Sequence, residues 1–281
     1  MKRLLILLLV ISPLSSVKAD DMIIKRDIPY VHPKNDRQIL DVYSPAAGAE
    51  HPVVIWLHGG AWRFGDKRSV QSKPQAFVDH DYVFVAINYR FVPQVNMGDI
   101  AADVAKAVRW SYDHIAEYGG TRDSLFIAGH SAGAHLAALI ATDQQYLKAE
   151  GLSLTNLKGC IPVDTAMYDA ERQIRERGPS RSRIYRDAFG DRAETQQEYS
   201  PRSYVAKGKG IPPFLILHVA SRADSTAQTR AFANSLEKAE VDVRVVAGEG
   251  KTHGTINREL GLPNDAPTRA VFEFLDGLTE Q

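Results

Sequence analysis

The chain has 281 residues, with 34 basic and 34 acidic side chains and 44% hydrophobic residues. That apolar content is enough for one large core or two small ones, and it excludes disorder as the dominant state, which needs low hydrophobicity and high net charge. A balanced charge supplies no large positive field, so a strongly basic nucleic-acid surface is excluded as well.

Lys2 and Arg3 open the chain, and an apolar run from Leu4 to Ile11 follows. Ser15-Ser16-Val17-Lys18-Ala19 then puts small residues where a signal peptidase cuts. Residues 1–19 read as a secretory signal, cleaved after Ala19. The apolar run is shorter than the roughly 20 residues that span a bilayer. Cleavage leaves 31 basic against 34 acidic side chains, a net charge of −3. The expected product is exported, to the periplasm or the medium, without a membrane span. Residues 20–281 are expected to form one domain.

Two alternating segments, about Ile23–Val31 and Gln38–Tyr43, suit antiparallel edge strands. Six short apolar runs follow: Val53–Leu57, Tyr82–Ile87, Ser124–Ala128, Gly159–Val163, Phe214–Val219 and Val241–Val246. Continuous apolar runs of this length suit strands buried on both faces of a parallel sheet. Helical patterns lie between them, over Asp99–Tyr118, Ser131–Thr142, Thr226–Lys238 and Thr268–Leu278. The alternation predicts an α/β fold with a mostly parallel sheet of about eight strands and helices on both faces. Residues 165–209 break the rhythm, with ten basic residues against seven acidic ones and no strand pattern. An insert of this length is expected to be a helical, lid-like element. Its arginines, among them Arg181, Arg183 and Arg186, hint at a polar or anionic leaving group. The lone cysteine, Cys160, falls in the fourth apolar run and reads as core packing.

His58-Gly59-Gly60-Ala61-Trp62 follows the strand Val53–Leu57. Backbone N–H groups of small residues can approach a substrate oxyanion closely. The expected oxyanion hole is therefore Gly59, Gly60 and Ala61 together with Ala132. His58 reads as structural, and Trp62 either lines the acyl pocket or packs under the loop.

Gly129-His130-Ser131-Ala132-Gly133 sits between a strand and an Ala-rich helix. That setting is the sharp strand-to-helix turn that exposes a nucleophilic serine, with glycines where larger side chains would clash. The helix start adds N–H groups and positive dipole beside developing negative charge. Ser131 is the predicted nucleophile, and His130 is a tentative pocket residue. Among nine histidines, His253 alone follows every strand and lies in a Gly-flanked loop, so it is the expected general base. Asp224, after the strand Phe214–Val219, gives the chain order Ser, Asp, His and is the expected orienting acid. Its rival is Asp164, which closes the preceding strand. Gly250-Lys251-Thr252 lacks the opening glycine of a phosphate loop, because position 245 is Val245. No His-Glu-x-x-His segment or paired cysteine indicates a catalytic zinc.

On these residues the chain resembles the α/β-hydrolase superfamily, and within it the hormone-sensitive-lipase-like carboxylesterases. The loop from His58 to Lys67 is similar to that of the bacterial feruloyl and acetyl-xylan esterase group and of the kynurenine formamidases. The resemblance runs from about Ile28 to Leu278. It implies a serine esterase that needs no cofactor or metal and takes a small-molecule or polysaccharide-linked ester, usually with a small acyl group. An aryl formamidase is the alternative activity, and a non-catalytic binding protein on the same scaffold is a further one. Ala61 stands where many relatives carry a third glycine, which tells against bulky tertiary-alcohol esters.

Overall fold

The computed structural model describes residues 22–279; the expected signal segment, residues 1–19, lies outside them. In chain order the elements begin with β1 (Met22–Pro29), β2 (Ile39–Pro45), β3 (His51–Leu57), α1 (Lys73–Val78), β4 (Val83–Ile87) and α2 (Met97–His114). Then come β5 (Gly120–His130), α3 (Ala132–Thr142), α4 (Gln144–Ala149) and β6 (Leu157–Val163). The insert contributes α5 (Ala170–Arg181), α6 (Arg183–Phe189) and α7 (Ala193–Glu198). The chain ends through β7 (Phe214–Val219), α8 (Ala223–Lys238), β8 (Val243–Gly248), α9 (Thr255–Arg258) and α10 (Ala266–Thr279).

The eight strands form one sheet in the order β1-β2-β4-β3-β5-β6-β7-β8. β2 pairs antiparallel with both β1 and β4 at one edge, and the remaining pairings are parallel. Successive strand residues point to opposite faces, so an unbroken apolar run fills two cores. Val53, Ile55 and Leu57 of β3 pack with Val104 and Val108 of α2, Leu136 of α3 and Phe232 of α8. Val54 and Trp56 face the other way, toward Phe77 of α1 and Val271 and Leu275 of α10. The fold is that of the α/β hydrolases.

The expected helices start one to three residues from their predicted positions, and α1 is a helix the sequence does not mark. α2 begins two residues before Asp99, because Asn96 and Asp99 form a reciprocal cap: Asp99 N–H donates to Asn96 Oδ1 at 2.9 Å and Asn96 N–H to Asp99 Oδ2 at 3.1 Å. α1 is six residues long, too short to leave a periodic signature. All eleven residues of α3 are buried, which is why this helix reads as apolar all round. Among the described residues no helix is long and apolar enough to cross a membrane.

Candidate active site

Three parallel strands end at the same rim, and their register sets the site. His130 at the end of β5 pairs with Val163 at the end of β6, and Val163 pairs with Leu217 of β7. Ser131 and Asp164 are the next residues out, so the register brings them side by side at the carboxyl edge of the sheet. Ser131 holds φ 57° and ψ −113°, a conformation that costs an ordinary residue about 1–3 kcal/mol. The glycines on either side permit it by close approach. A Cβ on Gly129 would stand 2.6 Å from the backbone of Gly133, and one on Gly133 would stand 2.2 Å from Leu57 O.

His253 arrives from the loop between β8 and α9. Its Nε2 lies 2.9 Å from Ser131 Oγ and its Nδ1 2.6 Å from Asp164 Oδ2. Asp164 is fully buried and its carboxylate is saturated. Oδ1 accepts from Val219 N–H at 3.1 Å and Ser225 Oγ–H at 2.7 Å, and Oδ2 accepts from Arg222 Nη1 at 2.5 Å. Burial alone would raise this carboxyl. The hydrogen bond from His253, the Arg222 charge and the Ser225 and Val219 bonds outweigh that and hold it well below the ordinary carboxylate range.

Asp224, the acid that chain order predicts, is not on His253. It lies in the first turn of α8, five residues past the end of β7. Its Oδ2 accepts from Arg177 Nη2 and, at 3.2 Å, from Gln173 Nε2, both on the insert helix α5. The place facing His253 from the β7 loop is taken instead by Arg222, whose Nη1 is 2.7 Å from His253 Nδ1. The carboxylate therefore comes from the neighbouring strand β6, where register supplies it.

The other histidines near the site are buried and neutral at ordinary pH. Burial lowers His58 to about 4, His130 to about 3 and His135 to about 4. His58 stacks on Tyr89 at 4.3 Å, its carbonyl accepts from Tyr89 Oη–H at 2.7 Å, and its Nδ1 lies 2.7 Å from Gly59 O. It thus fixes the glycine loop, as the sequence leads one to expect. His130 Nε2 lies 2.8 Å from His253 O and so ties the Ser131 turn to the His253 loop.

Ser131 and His253 open into a cavity of about 460 Å³ lined also by Gly59, Gly60, Ala61 and His130. Ala132, buried at the start of α3, follows Ser131 directly. Trp62 is not on this cavity. It is 2% exposed and packs edge-on against His135 at 5.3 Å and Phe189 at 4.8 Å, so its packing role is the one realised. Phe64, 63% exposed, takes the mouth of the cavity, and Asp66, Ser69 and Asn257 add polar groups to its wall. No motif singles these out, because they meet only through the fold.

Part of the Arg-rich insert is paired, four of its arginines within it and Arg177 with α8. Arg172 pairs with Glu176, Arg175 with Glu171, Arg177 with Asp224, Arg186 with Asp191 and Arg202 with Asp169.

Residues 40–236 match the family model described as BD-FAE. The chain belongs to the BD-FAE family. It is 32% identical over 274 residues to Esterase LipQ of Mycobacterium tuberculosis, covering 89% of this chain and 61% of that one. It is 36% identical over 150 residues to a kynurenine formamidase of Salmo salar, covering 51% of this chain and 46% of that one. The chain spans 51–61% of the length of the first three curated relatives. Among solved structures, Esterase B from Lactobacillus rhamnosis superposes on this BD-FAE chain with a TM-score of 0.78 at 21% identity, covering 93% of this chain and 89% of that one.

Proposed function

We propose that this protein is a serine carboxylesterase acting on small acyl esters through Ser131, His253 and Asp164. The observation that carries the reading is the continuous contact from Ser131 Oγ through both ring nitrogens of His253 to a buried, ionised Asp164. In that reading Nδ1–H donates to Asp164, which leaves the Nε2 lone pair to take the Ser131 proton as Oγ attacks the ester carbonyl. The N–H groups of Gly60, Ala61 and Ala132 receive the oxyanion, with Gly59 shaping the loop. The tetrahedral intermediate collapses, His253 protonates the departing alcohol, and a water activated by the same Nε2 hydrolyses the acyl-enzyme. Asp164 stabilises the imidazolium in both halves of the cycle.

Ser131→Ala should lower turnover of p-nitrophenyl acetate by about 10⁴–10⁶, and wild-type protein should label with a fluorophosphonate probe. Retention of most activity in that variant would refute the mechanism. The 150-residue likeness to a kynurenine formamidase favours a second reading, an aryl formamidase using the same residues. Comparing N-formylkynurenine with short-chain esters separates the two. Residues 1–19 are proposed as an export signal, and residues 20–281 as the mature catalytic domain with residues 165–209 as its lid-like insert. N-terminal sequencing of the exported protein tests the cleavage site.

A further inference from the structure

Arg222 faces two partners with one nitrogen. Nη1 stands 2.5 Å from Asp164 Oδ2 and 2.7 Å from His253 Nδ1. Nδ1 cannot satisfy both neighbours as a donor. When it carries the proton it donates to Asp164, and Nε2 is free to accept from Ser131. When Arg222 donates to it, the proton sits on Nε2 and the ring cannot take one from Ser131. The guanidinium must therefore stay directed at the carboxylate. A second carboxylate is placed to hold it there: Asp224 Oδ2 is 3.6 Å from Arg222 Nη2. Asp224 Oδ2 is in turn held by the insert, through Arg177 and Gln173 of α5, while its Oδ1 accepts from Ser225 N–H at 2.8 Å. The insert reaches the opposite side of the site too. Arg177 lies over the Tyr185 ring at 5.4 Å, and Tyr185 and Phe189 of α6 pack on Trp62 of the glycine loop.

Resting on the esterase reading above, we propose that Arg222 is a positioning residue for the Asp164–His253 pair, and that the insert sets its orientation through Arg177 and Asp224. The insert is then part of the catalytic geometry, and its arginines serve the protein's own carboxylates before any substrate. Loss of Arg177 frees Asp224, the guanidinium turns toward Nδ1, and the unproductive tautomer of His253 gains population. The step affected is proton transfer from Ser131, so kcat should fall while KM for a neutral ester holds.

The test is a double-mutant cycle on full-length mature protein with p-nitrophenyl acetate. Arg177→Gln should lower kcat about threefold to thirtyfold, inside the span of coupling energies between residues of one network. It should also raise the Nε2–H tautomer of His253 in the ¹⁵N imidazole spectrum. In an Arg222→Met background the same Arg177 change should do nothing further, since the residue it acts through is gone. Arg222→Lys, which keeps a cation on Asp164, should retain more kcat than Arg222→Met. Melting curves control for folding. Wild-type kcat in Arg177→Gln, or an equal loss in both backgrounds, overturns the proposal. Either result leaves the esterase reading intact so long as turnover still requires Ser131.

Discussion

Replacing each of the two candidate acids by its amide separates them more sharply than any other perturbation. Asp164→Asn keeps the volume and the Oδ1 acceptor, so the bonds from Val219 N–H and Ser225 Oγ–H survive and the fold should hold. What is lost is the charge that faces Nδ1 across 2.6 Å, together with the acceptor for Arg222 Nη1. With charge centres about 4 Å apart at an effective dielectric of about 20, that attraction is worth about 4 kcal/mol in the imidazolium state, or about 10³ in rate. The amide can also present N–H to Nδ1 and fix the wrong tautomer, which in the equivalent substitution of serine proteases takes the loss to about 10⁴. The expected fall in kcat is therefore about 10³–10⁴. Asp224→Asn touches His253 only through Arg222 and should cost about threefold to thirtyfold. Initial rates with p-nitrophenyl acetate and fluorophosphonate labelling rates should agree. An Asp164→Asn enzyme within tenfold of wild type, or an Asp224→Asn enzyme equally impaired, would refute the assignment.

Three further outcomes follow from the geometry. Gly133→Ala puts a methyl 2.2 Å from Leu57 O and should cost about 2–3 kcal/mol or more, read as a fall in melting temperature together with lost turnover. Ala61→Gly removes a methyl from the cavity wall at a residue with φ 49°, so tert-butyl acetate should become a substrate without loss of stability, and no gain over wild type would disprove the steric reading. Lys73, fully buried with its Nζ 2.7 Å from Asn257 O, is lowered by burial from its ordinary 10.5 to about 7. Between these values the unfolded chain holds the extra proton, so the burial penalty is full below pH 7 and fades as pH rises. The melting temperature of Lys73→Met minus that of wild type should therefore shrink from pH 6 to pH 10, and a difference independent of pH would show that Lys73 stays charged in the folded protein.

The sheet was legible because its signal is local. Six apolar runs between helical patterns can bury both faces only as parallel strands, and all six are strands in the structure. Ser131 and His253 were legible for a related reason: each sits in a turn whose glycines serve no purpose in a regular element. The acid was harder to read. Asp164 and Asp224 each follow a strand, and the sequence carries no mark of which strand end lies against His253. Chain order favours Asp224, while strand register favours Asp164, and register is a property of the folded sheet. The folded sheet supplies what the sequence lacks. A strand that ends Val163-Asp164 beside one that ends His130-Ser131 offers a carboxylate at the level of the nucleophile, and Asp is among the residues that tolerate the φ of 50° found at position 164.

The insert shows where composition misleads. Ten basic residues in one segment invite a role in binding anions, yet a charge count says nothing of pairing. Helical spacing puts Glu171 one turn before Arg175 and Arg172 one turn before Glu176, so these charges meet on the helix surface and cancel. Arg177 points elsewhere, to a carboxylate beside the catalytic pair, and Trp62 beneath α6 binds the same segment to the glycine loop. Both halves of the site, the proposed proton relay and the proposed oxyanion loop, thereby touch one insert. A change in the packing of α5 or α6 should consequently register first in kcat, before it registers in which ester is bound.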